Sequence, residues 1–144
     1  MKRSVTALVA VVLTGCANLQ YGVYTPLNTA NSARLAIDAS NVLPRAYAPS
    51  VTRFNVKQDT SEAFGSTLVL LLRQKGYAVA ENPQFWRLIY PAPNAPGFSF
   101  NYVIDQVSDD QTRLTLMVEG SSISRLYRMV NGVAMPVGLW AKRD

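Results

Sequence analysis

Asp59-Thr60-Ser61-Glu62-Ala63-Phe64-Gly65-Ser66-Thr67-Leu68-Val69-Leu70-Leu71-Leu72-Arg73-Gln74-Lys75-Gly76-Tyr77-Ala78-Val79-Ala80-Glu81 holds the strongest element of the chain, and its reading decides the fold class. Asp59 followed three residues later by Glu62 reads as a capping box, in which the first carboxylate satisfies free backbone N–H groups and the second reaches back. Ala63, Phe64, Thr67, Leu68, Leu71 and Leu72 then recur at helical spacing as one broad apolar stripe. Gly76 supplies the left-handed stop. The stripe needs a surface to cover, and residues 77–81, alternating apolar and small, read as the strand it packs on. Gly65 inside the helix costs up to ~1 kcal/mol relative to alanine, so a close approach to a neighbouring strand is expected there.

Outward from this stretch the periods change. Residues 51–56 place Val51, Arg53 and Asn55 on one face and Thr52, Phe54 and Val56 on the other, a short strand with one buried side that completes a strand–helix–strand unit. Upstream, Ala30, Ala33, Leu35, Ala36, Ala39 and Leu43 allow a helix over residues 27–43, although Asn28, Asn31 and Asn41 weaken it and Pro44 ends it. Residues 16–26 show no clear period and read as a tether. Downstream, Pro83, Pro91, Pro93 and Pro96 surround Phe85-Trp86-Arg87-Leu88-Ile89-Tyr90; proline removes backbone donors, so this segment reads as a loop with room for one short edge strand. The last third is strand and turn. Phe98, Phe100, Tyr102 and Ile104 line one strand face, Ser108-Asp109-Asp110-Gln111 turns, and Leu114, Leu116 and Val118 line the next. Gly120 breaks the run, residues 122–130 form a further strand, Asn131-Gly132 is the dipeptide of a type I′ hairpin, and residues 134–141 return. The expected fold is α+β: the strand–helix–strand unit followed by an antiparallel meander, with helices on one face.

Composition narrows the chemistry. The 144 residues, 49% hydrophobic and 16% charged, suit one domain. There is no histidine, which excludes histidine-based triads, general acid–base work by imidazole and histidine-ligated metals. One cysteine excludes an intramolecular disulfide. The net charge is +5, and without Lys2 and Arg3 twelve basic residues face nine acidic ones; this is too mild and scattered for direct nucleic-acid binding.

Lys2 and Arg3 open an export signal, followed by a nine-residue apolar run over residues 5–13. At 1.5 Å per residue such a helix covers about 14 Å, under half of a ~30 Å hydrocarbon core. Leu13-Thr14-Gly15-Cys16 then reads as a lipobox, in which Cys16 is diacylated on its thiol and becomes the first residue after cleavage. The expected layout is a signal peptide over residues 1–15, a tether over 16–26 and one α+β domain over 27–144. Ala17, standing where an aspartate would retain the protein at the inner membrane, resembles enterobacterial sorting to the outer membrane. The expected location is thus a lipid anchor in the outer membrane with the domain on its periplasmic face.

The candidate site residues fall in three groups. Asp105, Asp109, Asp110 and Glu119 lack the spacing of a calcium loop, and Asp109-Asp110 reads as turn chemistry, so neither a metal nor a cofactor is expected. Arg125 and Arg128, with Arg113, Lys142 and Arg143, form the most basic region, yet positions 125 and 128 of a strand point to opposite faces. They read as a solvated face, or as contacts for an anionic partner such as lipid headgroups or peptidoglycan. Among the aromatics, Trp140 reads as partly core, whereas Trp86 and Tyr90, held among prolines, are candidates for an exposed partner contact.

Phe64-Gly65 with Leu68, the run Leu72-Arg73-Gln74-Lys75-Gly76-Tyr77-Ala78-Val79, and later Ser124-Arg125-Leu126-Tyr127-Arg128 with Gly132 and Pro136-Val137-Gly138-Leu139-Trp140 resemble the TrbH family of conjugal-transfer lipoproteins. The resemblance implies a component of a mating-pair-formation apparatus, the type IV secretion channel, where a small lipoprotein holds to the outer membrane and binds larger channel subunits. It implies anchoring and assembly with no reaction catalysed, and of the site residues only Cys16 carries over. A periplasmic lipoprotein that binds the cell wall or regulates an envelope synthase is the competing reading. An enzyme would need a convergent polar site built without histidine.

Overall fold

Helix α2 (Ala63–Gln74) starts directly after Glu62, whose carboxylate accepts from the N–H groups of Phe64 at 2.6 Å and Gly65 at 2.9 Å. Glu62 is therefore the N-cap, which corrects the capping box expected from Asp59. Asp59 instead closes a local turn, accepting from the N–H and hydroxyl of Ser61, both at 2.9 Å. Those bonds, the backbone one foremost, hold its carboxyl below the ordinary aspartate value. Phe64, Gly65, Leu68, Val69 and Leu72 are buried, Leu71 is packed at the edge of the core, and Gly76 at φ +92° ends the helix as expected.

This computed structural model describes residues 20–81 and 96–144. In chain order the elements are β1 (Gly22–Val23), α1 (Thr29–Val42), two 3-10 turns (Leu43–Arg45 and Pro49–Val51), β2 (Arg53–Val56), α2, β3 (Ala78–Glu81), β4 (Phe98–Ser108), β5 (Gln111–Val118), β6 (Ser121–Val130) and β7 (Val133–Arg143). The seven strands among the described residues form one sheet, ordered β3-β2-β4-β5-β6-β7, with β1 also on β4. β4 to β7 are antiparallel neighbours, joined by two-residue turns. The Asn131-Gly132 turn has both residues at positive φ, 51° and 77°, as a type I′ hairpin requires.

The class is α+β, but the sheet is mixed. β2 pairs parallel with β3 through α2, the expected strand–helix–strand unit, and β1 and β2 both run parallel to β4. They share one edge of that strand end to end: β2 takes Phe98–Phe100, and β1 takes Val103–Ile104. Between them, Gln58 Oε1 accepts from the Tyr102 N–H at 2.7 Å, so a side chain fills the gap that neither strand reaches. The stretch expected as a tether over 16–26 is docked across its described part, since Gly22–Val23 form β1 and Tyr24 N–H donates to the Ile104 carbonyl at 2.7 Å.

Buried strand positions alternate. Phe54 and Val56, Phe100, Tyr102 and Ile104, Leu114, Leu116 and Val118, and Ile123 and Tyr127 share one sheet face and form a single cluster with Leu35, Ala36, Ala39, Phe64, Leu68 and Leu72 of the two helices. Phe54 anchors the aromatic end of this cluster, its ring centroid 5.0 Å from both Tyr77 and Phe100.

The asparagines of α1 act as fasteners. Asn28 caps the helix, accepting from the Asn31 N–H at 2.8 Å. Asn31, 2% exposed, donates to the Gly132 carbonyl and accepts from the Ala134 N–H, both at 2.9 Å, pinning the β6–β7 hairpin to the helix start. Asn41 accepts from Lys75 Nζ at 2.9 Å, tying α1 to the end of α2.

Candidate functional site

Where β6 runs from Leu126 to Ser124, β7 runs from Val137 to Ala141, so β7 spends four residue steps against two. Such a bulge turns side chains out of the regular alternation. Gly138 takes the required positive φ of 70°, Leu139 is left 90% exposed, and Trp140 packs back against the core.

The bulge is held from inside. Arg125 lies on the core-facing side of β6 with Ile123 and Tyr127, and its Nε and Nη2 donate to the Gly138 carbonyl at 3.1 and 2.8 Å. Its Nη1 meets both carboxylate oxygens of Asp38 on α1, at 3.0 and 2.9 Å, and its guanidinium carbon lies 6.0 Å from the Trp140 ring centroid. Tyr127 donates its hydroxyl to Asp38 Oδ2 at 2.5 Å. Burial first, and the Asp38 carboxylate second, push the Tyr127 hydroxyl well above the ordinary phenol value, so it remains a donor. The side chains of Arg125 and Asp38 are 18% and 25% exposed, so this pair is less screened than the other ion pairs among the described residues.

Between the end of α1 and the bulge lies a groove of about 290 Å³, lined by Asp38, Asn41, Val42, Arg45, Arg125, Leu139 and Trp140. Its helical wall follows from spacing: Asp38, Asn41, Val42 and Arg45 stand at i, i+3, i+4 and i+7, one ridge of a helix continued by the first 3-10 turn. Asp38 was the residue missed by sequence reasoning. Its signal was a lone carboxylate beside the buried stripe Leu35, Ala36, Ala39 and Val42, a place where burial demands a partner.

The other candidates separate. Arg128 faces the opposite side of the sheet from Arg125, as the strand alternation predicts, and meets Asp110 at 3.4 Å with both side chains more than half exposed. The expected solvated basic face is therefore true of Arg128 and not of Arg125, whose charge is spent inside the protein. Arg113 pairs across strands with Asp105 at 2.5 Å, and Glu119 accepts from the Ser99 N–H at 2.6 Å. Trp140 is partly buried, as expected. Among the described residues no three acidic, histidine or cysteine side chains stand together as a metal set. Cys16, Trp86 and Tyr90 lie outside the described residues.

Residues 17–144 match the family described as conjugal transfer protein TrbH. The chain belongs to the TrbH family. No curated protein and no solved structure matches it. Both stretches that carry the TrbH resemblance now have a physical role: Phe64, Leu68, Leu72 and Tyr77 are core, and Arg125, Tyr127, Gly138 and Trp140 build the braced bulge. Membership makes this TrbH chain a conjugal transfer protein, which associates it with the subunits of a transfer apparatus.

Proposed function

We propose that this TrbH protein is an outer-membrane lipoprotein of a conjugative type IV secretion apparatus, fixed by acyl chains on Cys16, with its domain on the periplasmic face. Its work is anchoring and assembly, without a catalysed reaction. One observation carries the reading: the lipobox Leu13-Thr14-Gly15-Cys16 stands directly ahead of the family match, which begins at Ala17. Two or three acyl chains, each worth about 0.8 kcal/mol per buried CH2, hold a domain to a bilayer where one chain binds only reversibly. Asp38 and Arg125 support a structural role, because they are engaged with each other and with the Gly138 carbonyl, where they hold the bulge.

Mass spectrometry of the membrane-bound protein tests the anchor. The expected N-terminus is an acylated Cys16, and Cys16→Ser should leave an uncleaved chain outside the outer-membrane fraction with DNA transfer from the donor reduced at least tenfold. An intact Met1 on wild-type protein in the outer membrane, or full transfer by the serine variant, overturns the reading.

A further inference from the structure

Leu139 is the most exposed large apolar side chain among the described residues, at 90%, yet the chain on both sides of it is fastened. The Gly138 carbonyl holds two N–H groups of Arg125, and Trp140 packs on the core. Its display is built into β7, at the expense of a partly buried ion pair that serves to hold the bulge. Exposed apolar surface held in a fixed shape beside a groove is the usual form of a binding surface.

Charge says what fits. Asp38 and Arg125 cancel each other, which leaves Arg45, exposed on the rim and without an ion pair among the described residues. Lys75, bonded to Asn41, brings a second cation to the same wall. Val42, Leu139 and Trp140 supply the apolar floor and lip. At about 290 Å³ the groove lies at the low end of ligand pockets, sized for one or two side chains.

We propose that this groove docks a short segment of a transfer-apparatus subunit in which a large aliphatic or aromatic side chain neighbours an aspartate or glutamate. The apolar side chain seats against Val42, Leu139 and Trp140, and the carboxylate pairs with Arg45. A second copy of this chain is the poorer occupant. Symmetric pairing sets the same patch against itself, so Arg45 and Lys75 of one copy would oppose those of the other. The inference rests on the reading of the protein as an assembly component.

A photo-crosslinking amino acid at position 139 of the full-length lipoprotein, in donor cells carrying the complete transfer system, tests it. Position 66, exposed at the start of α2, is the control. The expected result is an adduct with a channel subunit from 139 and not from 66, its crosslinked peptide containing an acidic residue. Arg45→Glu, which leaves the melting temperature unchanged because Arg45 is exposed, should lower adduct yield at least tenfold, and a lysine at the mapped acidic position should restore it. No adduct at 139, an adduct only with lipid or with a second copy, or an Arg45→Glu yield equal to wild type overturns the groove assignment. Tagged wild-type protein is purified in parallel. Channel subunits that co-purify without the adduct leave the assembly reading standing and remove the groove from it; their absence removes both.

Discussion

Gly65 is a glycine because a Cβ there would come within 2.7 Å of Glu62 Oε1 and 2.9 Å of the Thr60 Cα, and would press on the Tyr102 hydroxyl. Alanine normally stabilises a helix by roughly 0.5–1 kcal/mol over glycine, whereas overpacking costs about 1–3 kcal/mol, so the clash wins here. Gly65→Ala should lower the melting temperature by roughly 5 °C, read by circular dichroism. A rise would show that the cap and Tyr102 yield freely. The close approach was legible because glycine within a stripe of good helix formers contradicts its own propensity. The asparagines of α1 were not. Propensity assigns Asn31 a local cost, and only the fold brings the Gly132 carbonyl and Ala134 N–H within its reach, 101 and 103 residues away in sequence. Asp38 was hidden for the same reason, its partner lying 87 residues away.

Helix α2 is legible in its body and not at its start: Asp59 is the more usual N-cap residue, but its carboxylate closes a turn onto Ser61 and Glu62 takes the cap position. Its faces follow from spacing alone. Leu68 is 1% exposed and Gln74 stands in solvent. Leu68→Asp buries an uncompensated carboxylate at several kcal/mol, comparable with the ~5–15 kcal/mol stability of a small domain, and should abolish cooperative melting. Gln74→Asp should melt within about 2 °C of wild type, a surface change within ±0.5 kcal/mol. Equal melting of the two would reverse the helix. Strands β4 to β7 were legible because each antiparallel pair is closed by a turn written beside it in sequence. β1 was not legible. Two residues carry no period, and what makes Gly22–Val23 a strand is the length of β4 left uncovered by β2.

At the scale of the molecule, three tyrosine hydroxyls among the described residues are turned inward. Burial pushes Tyr77 up to about 12, and Tyr102 and Tyr127 are raised by burial first and by Glu62 and Asp38 next. The folded state holds these protons where the unfolded state, at about 10, releases them. Their stabilising contribution is complete below pH ~10 and declines as pH rises through the folded-state values. Ionisation of Tyr77, Tyr102 and Tyr127, followed at their own ring resonances by NMR, should therefore coincide with loss of ellipticity above pH ~10; ionisation of any of the three while ellipticity stays constant would contradict it. The hydrogen bonds around the two outermost strands have a further consequence. On β7 the Ala134 N–H is held by Asn31, position 136, two residues on and so facing the same way, is proline with no N–H, and the Gly138 carbonyl is held by Arg125. On β3 the Val79 carbonyl is taken by Arg73 at 3.1 Å. Neither margin offers another chain a clean row of backbone groups, so crowded copies are kept from stitching edge to edge into fibrils. Asn31→Ala combined with Pro136→Val reopens two successive donors. That variant should form concentration-dependent aggregates by light scattering and bind thioflavin, while Asn31→Ala alone, destabilised but still bearing the proline, should do neither below its melting temperature.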